Sequence, residues 1–158
     1  MVYKEIEKDL FSLDSNEYVF AHCISADFAM GAGIAPQFEK HFNTKTKLLN
    51  KYNDELMCNT YLNSWRERIK DKVYGDCIYV APVFNLITKE FCYEKPTYRS
   101  LFDALLKMRS YCRRMRVKKL AMPKIACGLD GLNWNEVKKM IFNLFNDENI
   151  EITICYIN

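Results

Sequence analysis

Residues 18–38 read Tyr18-Val-Phe-Ala-His-Cys-Ile-Ser-Ala-Asp-Phe-Ala-Met-Gly-Ala-Gly-Ile-Ala-Pro-Gln-Phe38, and the rest of the chain is organised around them. The nearly continuous apolar run 18–24 predicts a strand that is buried on both faces, as central strands of a sheet are. A short polar link then leads to Gly31 and Gly33, after which apolar residues recur at helical spacing. A strand, a glycine loop and a helix in this order aim free backbone N–H groups at a bound phosphate.

A second glycine loop strengthens the interpretation of the first. The chain has only five glycines, and four of them fall in two short stretches, at positions 31, 33, 128 and 131. The second stretch, residues 122–131, also follows an apolar run and precedes a helical pattern. Glycines before a helix usually form a plain turn, but two such loops at one sheet edge would hold a diphosphate from both sides. We therefore expect a diphosphate ligand.

The bulk composition predicts an ordinary globular protein. A length of 158 residues suffices for one domain with its own core, and 49% hydrophobic with 27% charged residues argues against disorder. The sequence shows neither an apolar run of membrane-spanning length nor a signal-peptide pattern. We expect a monomeric intracellular protein of the cytoplasm or nucleus without a membrane partner. The net charge of +3 permits an anionic ligand but does not require nucleic acid.

Cysteine and histidine usage predicts free thiols and no metal site. The seven cysteines are scattered without a C-x-x-C pair, and there are only two histidines. Cys127 lies inside the second glycine loop, where it is either a nucleophile or a small packing residue. Packing is favoured because no histidine partner is evident. His22, within the apolar run 18–24, is expected to be a core histidine.

Strands and helices alternate along the whole chain. Strands are expected near 2–6, 18–24, 77–88, 117–122 and 150–156, and helices at 33–42, 44–52, 61–69, 98–116 and 134–145. Pro82 removes a ladder donor and predicts a break, a bulge or an edge position. Thr97 is expected to cap the helix 98–116. Its predicted buried stripe is Leu101, Leu105, Met108, Cys112 and Met115. The alternation predicts α/β layers around a mixed sheet.

Three polar features each allow two interpretations. Asp9 is either a solvated turn residue or an acceptor for an amine on a ligand base. Lys89 follows an apolar run, and the pattern alone favours a solvated strand end. The helix 98–116 carries a basic surface that is either merely solvated or a footprint for a nucleic acid backbone, with Arg99, Lys107, Arg109, Arg113, Arg114 and Arg116.

Taken together, seven short motifs resemble the macrodomain family, in its branch of ADP-ribose glycohydrolases of the lysine/aspartate type. The matching segments are residues 8–11, 21–25, 30–35, 86–89, 95–98, 122–125 and 127–130, in the order of the family. The resemblance implies a three-layer α/β/α macrodomain over residues 1–158, with a mixed central sheet. It also implies ADP-ribose as the ligand, bound across the carboxyl ends of the strands, and neither a metal nor a cofactor.

The resemblance assigns a role to individual residues. Lys89 and Asp130 match the catalytic pair of the family, Asp9 and Leu10 its adenine contacts, and Ser25 a position near the distal ribose. The two phosphate loops match Gly31, Ala32, Gly33, Ile34 and Ala35, and Pro123, Lys124, Ile125, Ala126, Cys127, Gly128 and Leu129. Ile157 completes the predicted substrate-binding set.

These roles imply hydrolysis of ADP-ribose from acidic side chains of ADP-ribosylated proteins. A neutral Lys89 amine would attack the anomeric carbon of the distal ribose and form a Schiff base, which Asp130 would resolve as general acid/base. Three alternatives stay open: a reader that binds ADP-ribose without chemistry, a hydrolase of ADP-ribosylated nucleic acid, and a hydrolase of ADP-ribose 1″-phosphate.

The chain departs from the family pattern at four places. Ala126 replaces a glycine of the second phosphate loop, and Lys8 replaces a glycine before the aspartate of the adenine end. Cys155 takes the place of an aromatic residue near adenine, so Tyr156 is expected to face away from that end. Residues 43–72 are longer than in the family, which predicts an insertion that adds a substrate contact or a partner surface.

Overall fold

A computed structural model of the chain describes residues 1–52 and 60–158. The strands are β1 (Val2–Glu7), β2 (Val19–Ser25), β3 (Asp76–Val80), β4 (Val83–Lys89), β5 (Lys119–Met122) and β6 (Glu151–Tyr156). The helices are α1 (Ala35–Phe42), α2 (Thr44–Tyr52), α3 (Tyr61–Lys70), α4 (Tyr98–Met115) and α5 (Trp134–Phe145). Within the predicted insertion at 43–72, residues 53–59, which include Cys58, lie outside the described residues.

The described strands form one mixed sheet in the order β1-β6-β5-β2-β4-β3. Neighbouring strands are parallel except for β3, which pairs antiparallel with β4. The central position of β2, between β5 and β4, confirms the prediction from its apolar run. Pro82 lies between β3 and β4, where the chain reverses, so its missing N–H does not interrupt a ladder.

Helices cover both faces of the sheet, which confirms the three-layer α/β/α architecture. One core packs α4 and α5 against the sheet, through residues such as Phe84, Leu105 and Phe145. The other core packs α1, α2 and α3 against the opposite face, through residues such as Phe20 and Phe38. Each strand supplies both cores because successive side chains point to opposite faces.

Helix α4 begins at the predicted cap. The Thr97 hydroxyl accepts from the Ser100 N–H, and the Ser100 side chain accepts from the Thr97 N–H, which satisfies two free backbone donors of the first turn. The predicted buried stripe is confirmed at its first four positions but is wrong at Met115, which is 40% exposed. Met115 lies in the last turn of α4, just before the helix ends at Arg116.

Among residues 1–52 and 60–158, no helix combines the length and the apolar character that a membrane span requires.

Candidate active site

Two loops lie side by side at the carboxyl edge of the sheet. One follows β2 and covers residues 26–34, and the other follows β5 and covers residues 123–133. Because β2 and β5 are parallel neighbours, both loops emerge at the same edge. Gly33 and Gly128 have φ angles of +63° and +65°, in the left-handed region that glycine adopts without strain. The fold therefore brings the two glycine loops together, as the sequence predicts.

The loops enclose a cavity of about 390 Å³. Most of the predicted site residues line it: Ser25, Gly31, Ala32, Gly33, Ile34, Ala35, Lys89, Pro123, Lys124, Ile125, Ala126, Cys127, Leu129 and Asp130. The wall also contains residues outside the predicted set, namely His22, Cys23, Ile24, Met30, Cys92 and Lys95. Gly128 lies outside this wall and begins the 3₁₀ turn Gly128–Asp130, which carries Asp130.

A second cavity of about 320 Å³ continues the first. Both cavities are lined by Gly33, Ile34, Pro123 and Lys124, so they are two parts of one cleft. The remaining predicted residues, Asp9, Leu10 and Ile157, line the second cavity. The cleft therefore runs from the end of β1 and β6 to the end of β4, along the carboxyl edge of the sheet.

The far end of the second cavity carries the Asp9 carboxylate. Asp9 is exposed, and its Oδ1 atom accepts a hydrogen bond of 3.0 Å from the Phe11 N–H, which fixes the carboxylate at the rim. The prediction that Tyr156 faces away from this end is wrong. Tyr156 lines the cavity together with Cys155, and the Lys124 Nζ atom lies 4.7 Å from the centroid of its ring. As the last residue of β6, Tyr156 is held by strand pairing on one side only.

Lys89 and Asp130 meet at the opposite end of the cleft. The Lys89 Nζ atom donates a hydrogen bond of 3.1 Å to Asp130 Oδ1, and the two side chains are only 14% and 22% exposed. Lys89 is the last residue of β4, whereas Asp130 ends the 3₁₀ turn after β5. The pattern-based interpretation of Lys89 as a solvated strand end is therefore wrong, because the second glycine loop covers it.

The pairing of β2 with β4 is irregular next to the contact between Lys89 and Asp130. Ile24 of β2 lies opposite Ile87 of β4, whereas the next residue, Ser25, lies opposite Lys89. Thr88 is therefore an extra residue in β4, and the ladder bulges there. A bulge changes the direction in which the following side chain points, and it places Lys89 beside Ser25 on the cleft wall.

The loop after β4, residues 90–97, is hydrogen-bonded to both glycine loops. The Lys95 Nζ atom donates a 2.5 Å hydrogen bond to the Leu129 carbonyl, next to Asp130. On the other side, the Cys92 N–H donates to Asp27 Oδ2 at 3.1 Å. Sequence reasoning missed both Lys95 and Asp27 as site residues, although both lie in or next to the quoted motifs.

Four thiols line the cleft, those of Cys23, Cys92, Cys127 and Cys155, and burial raises the pKa of three of them. Burial raises the pKa of Cys23, and the nearby Asp130 charge raises it further. Burial also raises the pKa of Cys127, with Lys124 acting in the opposite direction. A protonated thiol is a weak nucleophile, which agrees with the interpretation of Cys127 as a packing residue. Cys23, Cys77, Cys92, Cys112, Cys127 and Cys155 are all free.

His22 forms part of the floor of the cleft. It is fully buried, its Nε2 atom lies 2.7 Å from Asn85 Oδ1, and its ring stacks on Phe38 with the centroids 3.9 Å apart. Burial lowers the pKa of His22 to about 4, against the smaller opposing effect of the Asn85 hydrogen bond. The imidazole is therefore neutral at pH 7, as expected for a core histidine.

Ala126 has a backbone conformation that favours glycine. Its φ angle is +58°, in the left-handed region that residues with a Cβ adopt at a cost of about 1–2 kcal/mol. The family glycine expected at this position would adopt it freely.

Half of the cations on the basic surface of α4 are paired with acidic residues of the chain. Three of its cations have acidic partners, and these pairs are Arg99 with Asp103, Lys107 with Asp76 and Arg113 with Glu148. Arg114 lies over the ring of Tyr111. Such pairing reduces the charge that the helix offers to a phosphate backbone.

Neither a metal cluster nor the predicted insertion contributes to the described cleft. Within residues 1–52 and 60–158, no three His, Cys, Asp or Glu side chains are grouped so that they could hold a metal ion. The described residues of the segment 43–72 line neither cavity. One of them, Lys45, supports the first glycine loop from outside, since its Nζ atom donates a 3.0 Å hydrogen bond to the Ala29 carbonyl.

Comparison with known proteins gives strong sequence matches and several structural ones. Human ADP-ribose glycohydrolase OARD1 is 38% identical to this chain over 153 residues, which cover 94% of this chain and 88% of that protein. The macrodomain of Thermus aquaticus DarG has a TM-score of 0.71 at 20% identity and covers 98% of each chain. Thermosipho africanus DarTG, solved in complex with ADP-ribose, has a TM-score of 0.63 at 17% identity, over 98% of this chain and 41% of that one. No protein-family model matches the chain. The two structural likenesses show a shared fold.

Proposed function

Because the chain belongs to the macrodomain family, among its ADP-ribose glycohydrolases, we propose that it removes ADP-ribose from modified acidic side chains of proteins. The family assignment drawn from the seven motifs is confirmed by 38% identity over nearly the whole chain. Hydrolysis of an ADP-ribose bond is the activity that the name of this relative states.

The contact between Lys89 and Asp130 is the observation that carries the proposed mechanism. A lysine whose only role is solubility is normally exposed. The Lys89 side chain is only 14% exposed, and its amine lies beneath the second glycine loop, 3.1 Å from the Asp130 carboxylate. A binder of ADP-ribose needs neither group at this end of the cleft. An amine with an adjacent carboxylate is, by contrast, the pairing of nucleophile and base that covalent catalysis requires.

The cleft has the parts that ADP-ribose would need. The diphosphate would lie between the two glycine loops, where backbone N–H groups replace water. Adenine would lie in the second cavity near Asp9, which offers an acceptor to its amine. The distal ribose would then reach Lys89, Asp130 and Ser25 at the other end.

The chemical steps follow from the pair of residues. The Lys89 ammonium gives one proton to solvent, and the neutral amine attacks the anomeric carbon of the distal ribose. The bond from this carbon to the carboxylate of the carrier protein breaks, and its electron pair leaves with the carboxylate. The nitrogen then loses a second proton to solvent. Its lone pair forms the C=N bond as the ring C–O bond breaks, the ring oxygen takes a proton from solvent, and the product is a protonated Schiff base.

Water completes the reaction. It adds to the carbon of the Schiff base with Asp130 as general base, and the returned proton allows the C–N bond to break at the Lys89 nitrogen. Free ADP-ribose and the unmodified lysine are the products, so the net reaction consumes one water molecule.

The decisive experiment compares Lys89→Ala and Asp130→Ala on a carrier protein that is ADP-ribosylated at glutamate. Lys89→Ala is expected to abolish release of ADP-ribose while isothermal titration still detects ADP-ribose binding. Asp130→Ala is expected to accumulate a covalent adduct, visible in the intact mass as one added ADP-ribosyl group. Peptide mapping should place this adduct on Lys89.

Two controls make the result interpretable. The double variant Lys89→Ala/Asp130→Ala should form no adduct, and Lys118→Ala, which removes an exposed lysine outside the cleft, should behave like the wild type. Normal turnover by Lys89→Ala would refute the mechanism. Absence of turnover by the wild type, with binding intact, would instead favour the reader function.

A further inference from the structure

The Asp27 carboxylate connects the end of β2 with the first glycine loop and the loop after β4. Its Oδ1 atom accepts a 2.5 Å hydrogen bond from the Ser25 hydroxyl and a 3.1 Å hydrogen bond from the Ala29 N–H. Its Oδ2 atom accepts the hydrogen bond from the Cys92 N–H. One carboxylate thus joins the end of β2, the first glycine loop and the loop after β4.

These contacts lie next to the bulge that directs Lys89. Past the bulge, the Ala26 N–H donates to the Lys89 carbonyl at 2.9 Å, and the Asp27 N–H donates to the Glu90 carbonyl at 3.1 Å. The Asp27 side chain adds the hydrogen bond from Cys92 to this short ladder. The backbone on either side of Lys89 is therefore fixed by β2 before the bulge and by residues 26–27 after it.

The Asp27 carboxylate also determines whether the Ser25 hydroxyl can donate or accept a hydrogen bond in the cleft. A hydroxyl has one proton and two acceptor lone pairs, and the Ser25 proton is donated to Asp27. Ser25 lines the cleft, so it offers only lone pairs to a ligand there. The group that fits is a hydrogen-bond donor, such as a ribose hydroxyl, whereas an anionic phosphate oxygen would meet an acceptor backed by a carboxylate.

We propose that Asp27 is a positioning residue for the hydrolysis: it aims the Ser25 lone pairs at a hydroxyl of the distal ribose and fixes the strand end that carries Lys89. This inference rests on the proposed function. It predicts that Asp27 acts on the chemical step through Ser25 and Lys89, and contributes little to the affinity for ADP-ribose, most of which comes from the adenine and diphosphate contacts.

The test measures kcat, KM and binding separately. In Asp27→Ala, kcat on the ADP-ribosylated carrier is expected to fall by about 10–100-fold, as for a misplacement of reacting groups, while the Kd for ADP-ribose changes by less than about 3-fold. In the Asp130→Ala background, Asp27→Ala should slow formation of the Lys89 adduct by a similar factor. Ser25→Ala combined with Asp27→Ala should lower kcat by less than the product of the two single effects, because both act on one hydroxyl.

Two further variants separate positioning from general stability. Asp27→Asn keeps the shape and one acceptor oxygen, so it should fold and retain more activity than Asp27→Ala. Asp14→Ala removes a carboxylate with the same kind of contact, a 2.8 Å hydrogen bond from the Asn16 N–H, in the loop between β1 and β2. It should leave kcat unchanged.

The outcomes distinguish this inference from the proposed function. If Lys89→Ala is inactive but kcat of folded Asp27→Ala and Asp27→Asn stays within about 3-fold of the wild type, the positioning role is wrong and the function stands. A parallel loss of ADP-ribose binding and thermal stability in both variants would also overturn it, since that marks a structural role. If the wild type does not release ADP-ribose from the carrier, the proposed hydrolysis and the positioning role of Asp27 are both refuted.

Discussion

Acidification should destabilise this protein through one residue, His22. The imidazole is fully buried between Asn85 and Phe38, and burial lowers its pKa from 6.5 to about 4. In the unfolded chain the same imidazole has its ordinary pKa near 6.5. Between these two values the unfolded state binds a proton that the folded state excludes.

The sign and the size of the effect follow from this difference. Because the unfolded state binds more protons, the free energy of unfolding falls as the pH falls from 6.5 to about 4. The penalty is absent above pH 6.5 and complete below pH 4. A difference of two to three pKa units corresponds to about 3 kcal/mol in total, and to about 2.5 kcal/mol between pH 7.5 and pH 4.5. That is a large part of the stability of a typical domain.

Urea unfolding of the wild type and of His22→Gln at a series of pH values isolates this contribution. Glutamine does not titrate, and its amide can still donate to Asn85, so the variant should lose about 2.5 kcal/mol less than the wild type between pH 7.5 and pH 4.5. His41→Gln, at the exposed histidine, is the matched control and should keep the pH dependence associated with His22. Parallel pH profiles for the wild type and His22→Gln would refute the reasoning.

Three substitutions that add or remove a Cβ test other parts of the structure. Gly75→Ala should cost more than about 2 kcal/mol in urea unfolding, because its Cβ would lie 1.9 Å from the Ser100 carbonyl oxygen of α4. Gly31→Ala, where a Cβ meets nothing within 4 Å, should change stability by less than about 1 kcal/mol, and equal losses in the two variants would contradict the packing argument. Ala126→Gly should tighten ADP-ribose binding in isothermal titration, because it removes a methyl group from the loop backbone that is proposed to meet the phosphates. It should not lower stability, because relief of about 1 kcal/mol of left-handed strain offsets the added freedom of the unfolded chain. Weaker binding with a stability loss of about 1 kcal/mol would show that the methyl group of Ala126 is accommodated without strain.

The fold could be predicted because local patterns and tertiary packing agree. The apolar run 18–24 becomes the central strand β2, and the amphipathic pattern of 98–116 becomes α4 with its Thr97 cap. Met115 shows the limit of this agreement. Periodicity marks the side of the helix on which a residue lies, but it does not show where along the helix the neighbouring layer ends.

The candidate site could be predicted only in part. The two glycine loops follow from the rule that parallel neighbours end at one edge, and the positions of glycine in the sequence mark them directly. The direction of the Lys89 side chain depends on the bulge in β4, and that of Tyr156 on its place at the end of β6. Neither feature can be recognised from the residues around it in the sequence. The pattern alone therefore gave Lys89 the wrong surroundings, and it took the family resemblance to assign Lys89 a role.

The contacts that hold the cleft together are the part that no local pattern reveals. Asp27 and Cys92 are 65 positions apart, and Lys95 and Leu129 are 34 apart, so each hydrogen bond exists only after the sheet has formed. The loop after β4 lies between the two glycine loops and is bonded to the first by Asp27 and to the second by Lys95. Lys89 precedes this loop and Asp130 follows Leu129, so both groups of the proposed catalytic pair are next to these bonds. We therefore expect these two polar contacts to help hold the amine near the carboxylate, so that a change in either lowers the proposed activity before it alters the fold.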